Sequence, residues 1–453
     1  IPLVTDVSID ARALLFAVVT TALTAVTFGM VPALMLATTD LQSSLRASRV
    51  TRGRRMLATL VVGEVALAVV LLSSAGLLVQ TVRHLIAESP GFDPARMVTA
   101  NLELPYTYTD WPRISRFYTD LADTVRQQPG IDSVGSTAFL PLANGWRVPF
   151  LIQGQPPPAH GEEPTAQHHV VDDGYLSCLG VTLLDGRLFD SHDSAERPGV
   201  IVINTAMARR YWPNERAVGH AIYYDSPLQI GPLGRTIVKP THFDVVGIIS
   251  DFKNTSLQAS AEPAMFFSVR QFSYRNMNVV ARGRAPIGTI DAAVRAAVKK
   301  MDPDLPLSGM KPLEGVLTAA VDPPRVLMAL LMAFAALALL LAGLGLYGIL
   351  GYTVSQRNRE LSVRLALGAA PGQLRSMVVG DGLRLVVVGC VAGVSAAAFA
   401  GRALTALLYG VSPFDGRTVA AVVALLLIVG VIASALPARR AAAIDPIVGL
   451  RSE

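Results

Sequence analysis

The residues that could bind a nucleotide, hold a metal or act as a nucleophile form no complete site in this sequence. Gly343-Leu-Gly-Leu-Tyr-Gly348 matches the dinucleotide pattern GxGxxG. It lies in an uncharged apolar run without a preceding strand, whereas that fingerprint needs a strand-to-helix turn. No lysine follows a glycine, so a phosphate-binding P-loop is absent, and the histidines form no HExxH and no ligand set with Cys178. The sequence therefore predicts no catalytic residue, no cofactor site and no metal site.

Glu64 is the one acidic residue in the apolar stretch 56–82. An acidic side chain in a membrane helix is costly and usually faces a partner or water. Glu64 follows Arg55 by nine residues, about 13 Å of helix rise, and Arg384 follows Arg375 by the same number. We therefore predict a polar pair of Glu64 and Arg384 between two helices. The alternatives are a proton or substrate site, or a Glu64 that is protonated or reaches the membrane surface.

A third group of residues could bind a partner rather than perform chemistry. The candidate segment is Arg357-Asn-Arg-Glu-Leu-Ser-Val-Arg-Leu-Ala-Leu-Gly-Ala369. In it, Glu360 and Arg364 are four residues apart, and so are Leu361 and Leu365. Gly368 and Pro371 are helix stop signals. This short amphipathic helix either lies on lipid or docks a cytosolic partner. The docking candidates are Arg357, Arg359, Glu360, Leu361, Arg364 and Leu365.

Membrane helices must position these residues. Of the 453 residues, 51% are hydrophobic and 16% are charged, whereas soluble domains carry about 25% charged residues. This composition excludes intrinsic disorder and argues against a soluble enzyme. A membrane-spanning helix needs about 20 apolar residues. Five stretches meet that length, at 13–39, 56–82, 326–352, 378–401 and 418–438.

The distribution of basic residues predicts the orientation. Arginines are concentrated in 40–55, in 357–375 and in the tail after 438. If these segments are cytoplasmic, every helix alternates in direction and the long segment 83–322 lies outside. The formal net charge is +5, but only 5 of 39 basic residues are lysine and the arginines flank apolar runs. This pattern indicates a lipid bilayer as the partner and no nucleic acid.

The segment 83–322 is predicted to be a folded extracytoplasmic domain of α+β class with two lobes. Short apolar runs at 200–203 and 243–249 indicate strands, and the periodicity of 113–128 and 290–301 indicates amphipathic helices. The fold class is thus a membrane protein with an α-helical transmembrane bundle of five spans and this large domain.

The first and last predicted spans resemble each other at an offset of 405 residues. The matches stand at both ends of each helix, so shared apolar composition does not explain them. They are Asp10 with Asp415, Arg12 with Arg417, Pro32 with Pro437, and Asp40 with Asp445. Internal repeats are common in transporters. We expect one full repeat preceded by the last helix of an earlier repeat, and a truncated N-terminus.

Several motifs together resemble MacB/FtsX-type ABC transporter permeases over nearly the whole chain. The segment 359–369 resembles the family's cytoplasmic motif, and Pro437-Ala-Arg-Arg-Ala-Ala-Ala-Ile-Asp-Pro446 resembles its C-terminal signature. Other motifs resemble the MacB-like periplasmic core domain, namely Gly186-Arg187-x-Phe189, Val202-Ile-Asn204, Tyr211-Trp-Pro213, Gly219, Val245-Val-Gly247 and Asp251.

The resemblance implies a domain plan. The stretch 13–39 would end a preceding repeat, 40–55 would be a cytoplasmic linker and 56–82 a membrane helix. The MacB-like periplasmic core domain would occupy 83–322, and an FtsX-like permease domain would occupy 326–453. The extra leading helix resembles the duplicated-permease variety, of which this chain would be a fragment.

The resemblance also implies a function. The chain would be a permease subunit in the inner (plasma) membrane, not an enzyme, and a separate cytosolic ABC ATPase would drive its periplasmic domain for efflux. The alternative is a non-transporting mechanotransmission regulator of a periplasmic hydrolase, or a ligand sensor. Further implied partners are a second permease repeat or subunit, a periplasmic adaptor and an outer-membrane channel.

Overall fold

The computed structural model describes residues 48–443 except 109, 144, 157, 160, 224–241, 404, 406 and 407, and also residues 14, 15, 18, 19, 21 and 22. The chain divides into two compact units. The helical unit consists of Ile1–Val70, Ala336–Ala397 and Val419–Glu453. The α+β unit consists of Leu71–Ala335 and Ala398–Thr418.

The helices and strands are numbered along the chain. The described helices are α1 (Ser48–Ala87), α2 (Trp111–Arg126), α3 (Tyr175–Leu179), α4 (Thr205–Tyr211), α5 (Ile287–Met301), α6 (Leu313–Gln356), α7 (Asn358–Ala366), α8 (Pro371–Ala403) and α9 (Gly416–Ala442). The described strands are β1 (Met97–Glu103), β2 (Ile131–Thr137), β3 (Trp146–Pro149), β4 (Leu151–Ile152), β5 (Thr165–Val171), β6 (Leu183–Gly186), β7 (Gly199–Asn204), β8 (Ala221–Tyr223), β9 (His242–Ile249), β10 (Ala264–Ser268), β11 (Asn276–Gly283) and β12 (Leu307–Pro312).

Four described helices, α1, α6, α8 and α9, are long and apolar enough to cross a membrane. They contain the predicted spans 56–82, 326–352, 378–401 and 418–438. Most of the fifth predicted span, 13–39, lies outside the described residues, and so does most of the first copy of the repeat.

Two helices begin earlier than the sequence predicts. The first, α1, starts at Ser48, inside the predicted linker. The other, α6, starts at Leu313, inside the predicted extracytoplasmic domain, and continues through Pro323 and Pro324. An interior proline removes one backbone hydrogen bond, and its ring crowds the carbonyl four residues earlier. These two prolines stand in a helix of 44 residues. The remaining hydrogen bonds carry the helix through both positions.

Close contacts at glycines hold the helical unit together. A Cβ placed on Gly389 would lie 2.6 Å from the Val65 side chain, and one on Gly393 would lie 2.6 Å from Val69. The missing side chains therefore let α8 approach α1, as small residues do between membrane helices. The segment 343–348 lies within continuous helix in α6, which is not the strand-to-helix turn that dinucleotide binding requires.

The α+β unit is built on one sheet of twelve described strands in the order β12-β1-β11-β2-β5-β10-β7-β9-β8-β4, with β3 beside β5 and β6 beside β9. The pairs β5–β10 and β7–β9 are parallel, and the others are antiparallel. The strands β2 and β5 meet at a single residue pair, Thr137 with Val171. The sheet therefore has two halves joined at a narrow junction.

Both faces of this sheet are covered, because successive side chains of a strand point to opposite sides. One face packs against α2 and α5 through buried residues such as Tyr118 and Ile290. The other face packs against α3 and the start of α6 through Leu176 and Leu313. The first cluster includes strands from both halves of the sheet. The two lobes expected from the sequence thus share a core.

Several motif residues of the α+β unit have structural roles. The Asn204 side chain accepts hydrogen bonds from the backbone N–H of Met207 and of Ala264, both at 3.0 Å, and so caps α4. Asp251 accepts from the N–H of Ala206 at 2.7 Å at the same helix end. Gly186 has φ +75°, and a Cβ there would collide with the carbonyl of Val246. These contacts explain the motif residues by folding rather than by chemistry.

Three buried titratable side chains lie on β5 or immediately after it. Burial lowers the pKa of His168 to about 3, with a further contribution from His169, and lowers that of His169 to about 4. Burial also raises the pKa of the Asp172 carboxyl to about 7. Asp172 Oδ1 accepts from the N–H of Gly174 at 3.1 Å, while Oδ2 is buried without a hydrogen-bond partner in the described part of the chain. Both histidines are therefore neutral at physiological pH.

Candidate partner-docking site

The short helix α7 lies in the turn between the membrane helices α6 and α8. The N–H of Arg357 donates to the carbonyl of Thr353 at 3.1 Å, and the N–H of Leu361 donates to the carbonyl of Arg357 at 2.9 Å. Hydrogen bonding thus passes from α6 into α7 with one residue between them. Glu360 in the first turn and Arg364 in the last complement the helix dipole.

The C-terminal end of α7 is closed by a Schellman motif. The N–H of Gly368 donates to the carbonyl of Leu365, and the N–H of Ala369 donates to the carbonyl of Arg364, both at 3.0 Å. Gly368 has φ +94°, a conformation that side-chain-bearing residues rarely adopt. The positive φ of Gly368 explains why the predicted stop ends the helix there. Leu367 is the last residue before this stop.

Ion pairs connect α7 to α8. Glu360 lies 2.6 Å from Arg364 and 3.9 Å from Arg357. Asp381 on α8 lies 3.7 Å from both Arg357 and Arg384. Partly exposed pairs contribute little stability individually. Their effect here is to orient α7 and to give its surface alternating charge.

The structure corrects the predicted docking face at Leu361. Leu361 is only 3% exposed and Leu365 is half-buried, so the leucine stripe packs inside the protein. Val363 and Leu367 are instead 41% and 82% exposed. Neither residue was among the predicted docking candidates, although Leu367 directly precedes the helix-ending Gly368. The surface open to a partner, which we call the α7 face, consists of Arg357, Glu360, Val363, Arg364 and Leu367; the Arg359 side chain lies outside the described ones.

The structure does not bring Glu64 and Arg384 together. The Arg384 side chain is 85% exposed and lies near Asp381, one turn earlier on its own helix. Glu64 Oε2 is buried against the backbone of Gly345 on α6, with no hydrogen-bond partner among the described residues. Equal depth along two helices does not set the direction of their side chains, so two residues at the same depth need not meet.

Two models of known protein families match this chain. A model of the MacB-like periplasmic core domain matches residues 58–297, which is more than half of the chain. A model of the FtsX-like permease C-terminal region matches residues 332–446. The chain belongs to the MacB/FtsX family of ABC transporter permeases. Its apolar helices and periplasmic-type domain fit a multi-pass inner-membrane protein with a domain in the periplasm.

Curated relatives include an ABC transporter permease and an ATP-binding/permease protein. The chain is 23% identical over 308 residues to the ABC transporter permease YknZ of Bacillus subtilis (strain 168), covering 65% of this chain and 72% of YknZ. It is 30% identical over 237 residues to the pyoverdine export ATP-binding/permease protein PvdT of Pseudomonas fluorescens (strain Pf-5), covering 49% of this chain and 35% of PvdT. The chain thus spans only about a third of the length of this longer relative.

Solved structures of similar regions are more distant. The periplasmic region of MacB from Actinobacillus actinomycetemcomitans matches 51% of this chain and 94% of its own length, with a TM-score of 0.33 and 13% identity. The extracellular domain of YknZ from Gram-positive bacteria matches 47% of this chain and 100% of its own length, with a TM-score of 0.30 and 13% identity.

Proposed function

We propose that this chain is the permease subunit of an ABC efflux transporter and that a separate cytosolic ATPase drives its periplasmic domain. Family membership supports the permease role, and the pyoverdine export relatives support efflux as the direction. ATP binding in the partner would shift the membrane helices, and α1 and α6 would transmit the shift because both also contribute residues to the α+β unit. A second permease repeat or subunit, an adaptor and an outer-membrane channel complete the proposed assembly.

The observation that carries the ATPase assignment is the α7 face. It presents exposed apolar residues, Val363 and Leu367, beside the charged Glu360 and Arg364. The Schellman motif and the Arg357–Asp381 ion pair hold this short helix in one orientation. A rigid helix end with an apolar tip and flanking charges suits a protein partner, whereas a lipid-surface helix needs a continuous apolar face.

The test is the double variant Glu360→Arg with Leu367→Asp, co-expressed with an ABC ATPase subunit. We expect the variant to insert and to keep its thermal melting profile, because both side chains are exposed. Recovery of the ATPase on affinity-tagged permease should fall at least fivefold. Wild-type recovery together with normal ATP-driven activity would show that α7 is not the docking site.

A matched control applies the same two kinds of change elsewhere. Arg417→Glu with Phe414→Asp reverses one exposed charge and removes one exposed apolar side chain near the start of α9. We expect it to recover the ATPase normally. If α7 instead lies on lipid, the α7 variant should weaken the contact of α7 with the membrane and keep its ATPase.

The periplasmic position of the α+β unit is tested by labelling an introduced cysteine. Ser191 is exposed, whereas the native Cys178 and Cys390 are buried, so Ser191→Cys adds an accessible thiol. We expect a membrane-impermeant maleimide to label it from the periplasmic side. Labelling only after the inner membrane is permeabilised would reverse the proposed topology.

The regulator alternative makes a different prediction. A transporter should show ATPase activity stimulated by an exported compound. A mechanotransmission regulator should instead bind a periplasmic hydrolase stably and change its activity with ATP.

A further inference from the structure

A cavity of about 330 Å³, open on one side, lies between α1 and α6 in the helical unit. One face of each helix lines it, because the lining residues recur at i, i+3, i+4 and i+7 in both helices. They are Leu57, Leu60, Val61 and Glu64 from α1, and Gly345, Gly348, Ile349 and Tyr352 from α6. The volume is at the lower end of the range for small-molecule sites, about 300–1,000 Å³.

One end of this cavity carries an uncompensated acid. Glu64 lies beside Gly345, whose missing side chain makes room for it, and its Oε2 atom is buried without a hydrogen-bond donor among the described residues. Arg384, the cation predicted to pair with Glu64, lies beside Asp381 instead. A carboxylate in a membrane helix is stable only when a partner or water faces it. The cavity therefore presents an acceptor that lacks a donor.

Apart from Tyr352, the rest of the cavity is lined by apolar side chains and glycines. Val61 and Ile349 are 4% and 7% exposed and form its packed wall, with Leu57 and Leu60 beside them. A Cβ placed on Gly348 would have nothing within 4 Å, so the space above this glycine is open. A slender apolar group can lie along the two helices there.

We propose that this cavity binds an amphiphilic primary amine, with its ammonium group on the Glu64 carboxylate and its alkyl body along Leu57, Leu60 and Ile349. A carboxylate only accepts hydrogen bonds, and an ammonium supplies three donors and the opposite charge. An alcohol of the same length supplies one donor and no charge. At the other end of the lining, the Tyr352 hydroxyl already accepts a hydrogen bond from Gln356 Nε2 at 2.6 Å. The side chains between Glu64 and Tyr352 are apolar and favour an alkyl body. The proposal stands independently of the proposed ATPase coupling.

The test is equilibrium dialysis of radiolabelled dodecylamine against the full chain in nanodiscs of zwitterionic phosphatidylcholine, with empty nanodiscs as the blank. We expect saturable binding of one amine per chain that dodecanol does not displace. Glu64→Gln keeps the shape of the side chain and removes its charge, so it should weaken binding at least tenfold.

Two glycine variants on the same helix form a matched pair. Gly348→Leu fills the cavity and should abolish binding. Gly351→Leu should bind normally, because a side chain there also meets open space but lies outside the lining. This pair decides the matter if Glu64→Gln does not fold. Equal binding by the two glycine variants, unsaturable binding, displacement by dodecanol or full affinity in a folded Glu64→Gln would each overturn the proposal. No ATPase is present in this assay, so its outcome leaves the docking assignment untouched.

Discussion

The side chain of Gln80, near the end of α1, binds the carboxylate of Asp415 at the start of α9. Gln80 Nε2 lies 2.9 Å from Asp415 Oδ2 and 2.6 Å from Thr418 Oγ1. Asp415 Oδ2 also accepts from the N–H of Thr418 at 3.1 Å, so it caps α9. Both residues belong to the α+β unit, where they join two helices that are distant in the sequence.

Gln80→Leu should therefore lower the melting temperature of the purified chain by roughly 2–4 °C, because a part-buried pair of hydrogen bonds is lost. Gln80 donation, with that of Thr418, lowers the pKa of Asp415 well below its usual range. This contribution is present above the unfolded pKa of about 4 and is lost as the pH falls further. The effect of the variant should shrink accordingly in strong acid. Gln155→Leu, at an exposed loop position, should melt like the wild type throughout.

Asp172→Asn should change how stability depends on pH. The folded pKa of about 7 lies above the unfolded value, so the folded state holds an extra proton below pH 7. The contribution of Asp172 to stability is present in acid and is lost as the pH rises through about 7. Relative to wild type, Asp172→Asn should gain about 2–3 kcal/mol between about pH 5 and about pH 8.

Denaturant unfolding of the full chain in detergent at both pH values measures this gain. Asp120→Asn, at an exposed position on α2, is the matched control and should track the wild type. His168 and His169 make the wild-type profile rise with pH up to about 6.5, because both are neutral when folded. Taking the difference between variant and wild type removes their contribution. If the variant and the wild type differ by the same unfolding free energy at both pH values, Asp172 is ionised in the folded state.

Gly389→Ala should destabilise the helical unit by about 1–3 kcal/mol through overpacking. The added methyl would meet Val65 at 2.6 Å and the carbonyl of Val62 at 3.1 Å. Gly380→Ala on the same helix adds a methyl with nothing within 4 Å and should leave stability nearly unchanged. Thermal unfolding in detergent distinguishes the two. Equal melting temperatures would mean that α8 and α1 do not approach this closely.

Gly368→Ala should loosen the end of α7, because alanine at φ +94° costs about 1 kcal/mol. We expect faster amide hydrogen exchange at Gly368 and Ala369, whose N–H groups form the Schellman bonds. Gly372→Ala, within α8, should leave exchange there unchanged. Unchanged exchange in Gly368→Ala would show that the motif does not hold the helix end.

Features of the membrane helices that depend on local sequence were predicted well. Long apolar runs predicted the four described spans, since apolar length is the main requirement for a helix in lipid. The region of α7 was predicted from an ion pair four residues apart and a glycine stop, both of which are local. The early starts of α1 and α6 were missed, because helix propagation from a stable span is cooperative and crosses unfavourable residues.

The direction in which a helix side chain points could not be predicted from local sequence. The leucine stripe of α7 showed that one face is apolar but not that Leu361 packs against its own protein. Equal depth suggested that Glu64 meets Arg384, yet the rotation of α8 places Arg384 by Asp381 and leaves Glu64 beside Gly345. Rotation about a helix axis is set by packing with neighbouring helices, which a single segment does not encode.

Local sequence thus sufficed to predict the four described apolar helices, the α+β class of the large domain and the short helix between two spans. Each follows from periodicity, composition or turn residues within one segment. The tertiary structure alone decided that the two halves of the sheet share a core, that Val363 and Leu367 are the exposed apolar residues of α7, and that Glu64 lines a cavity. These depend on contacts between segments hundreds of residues apart, and burial of apolar surface selects them only when the whole chain packs.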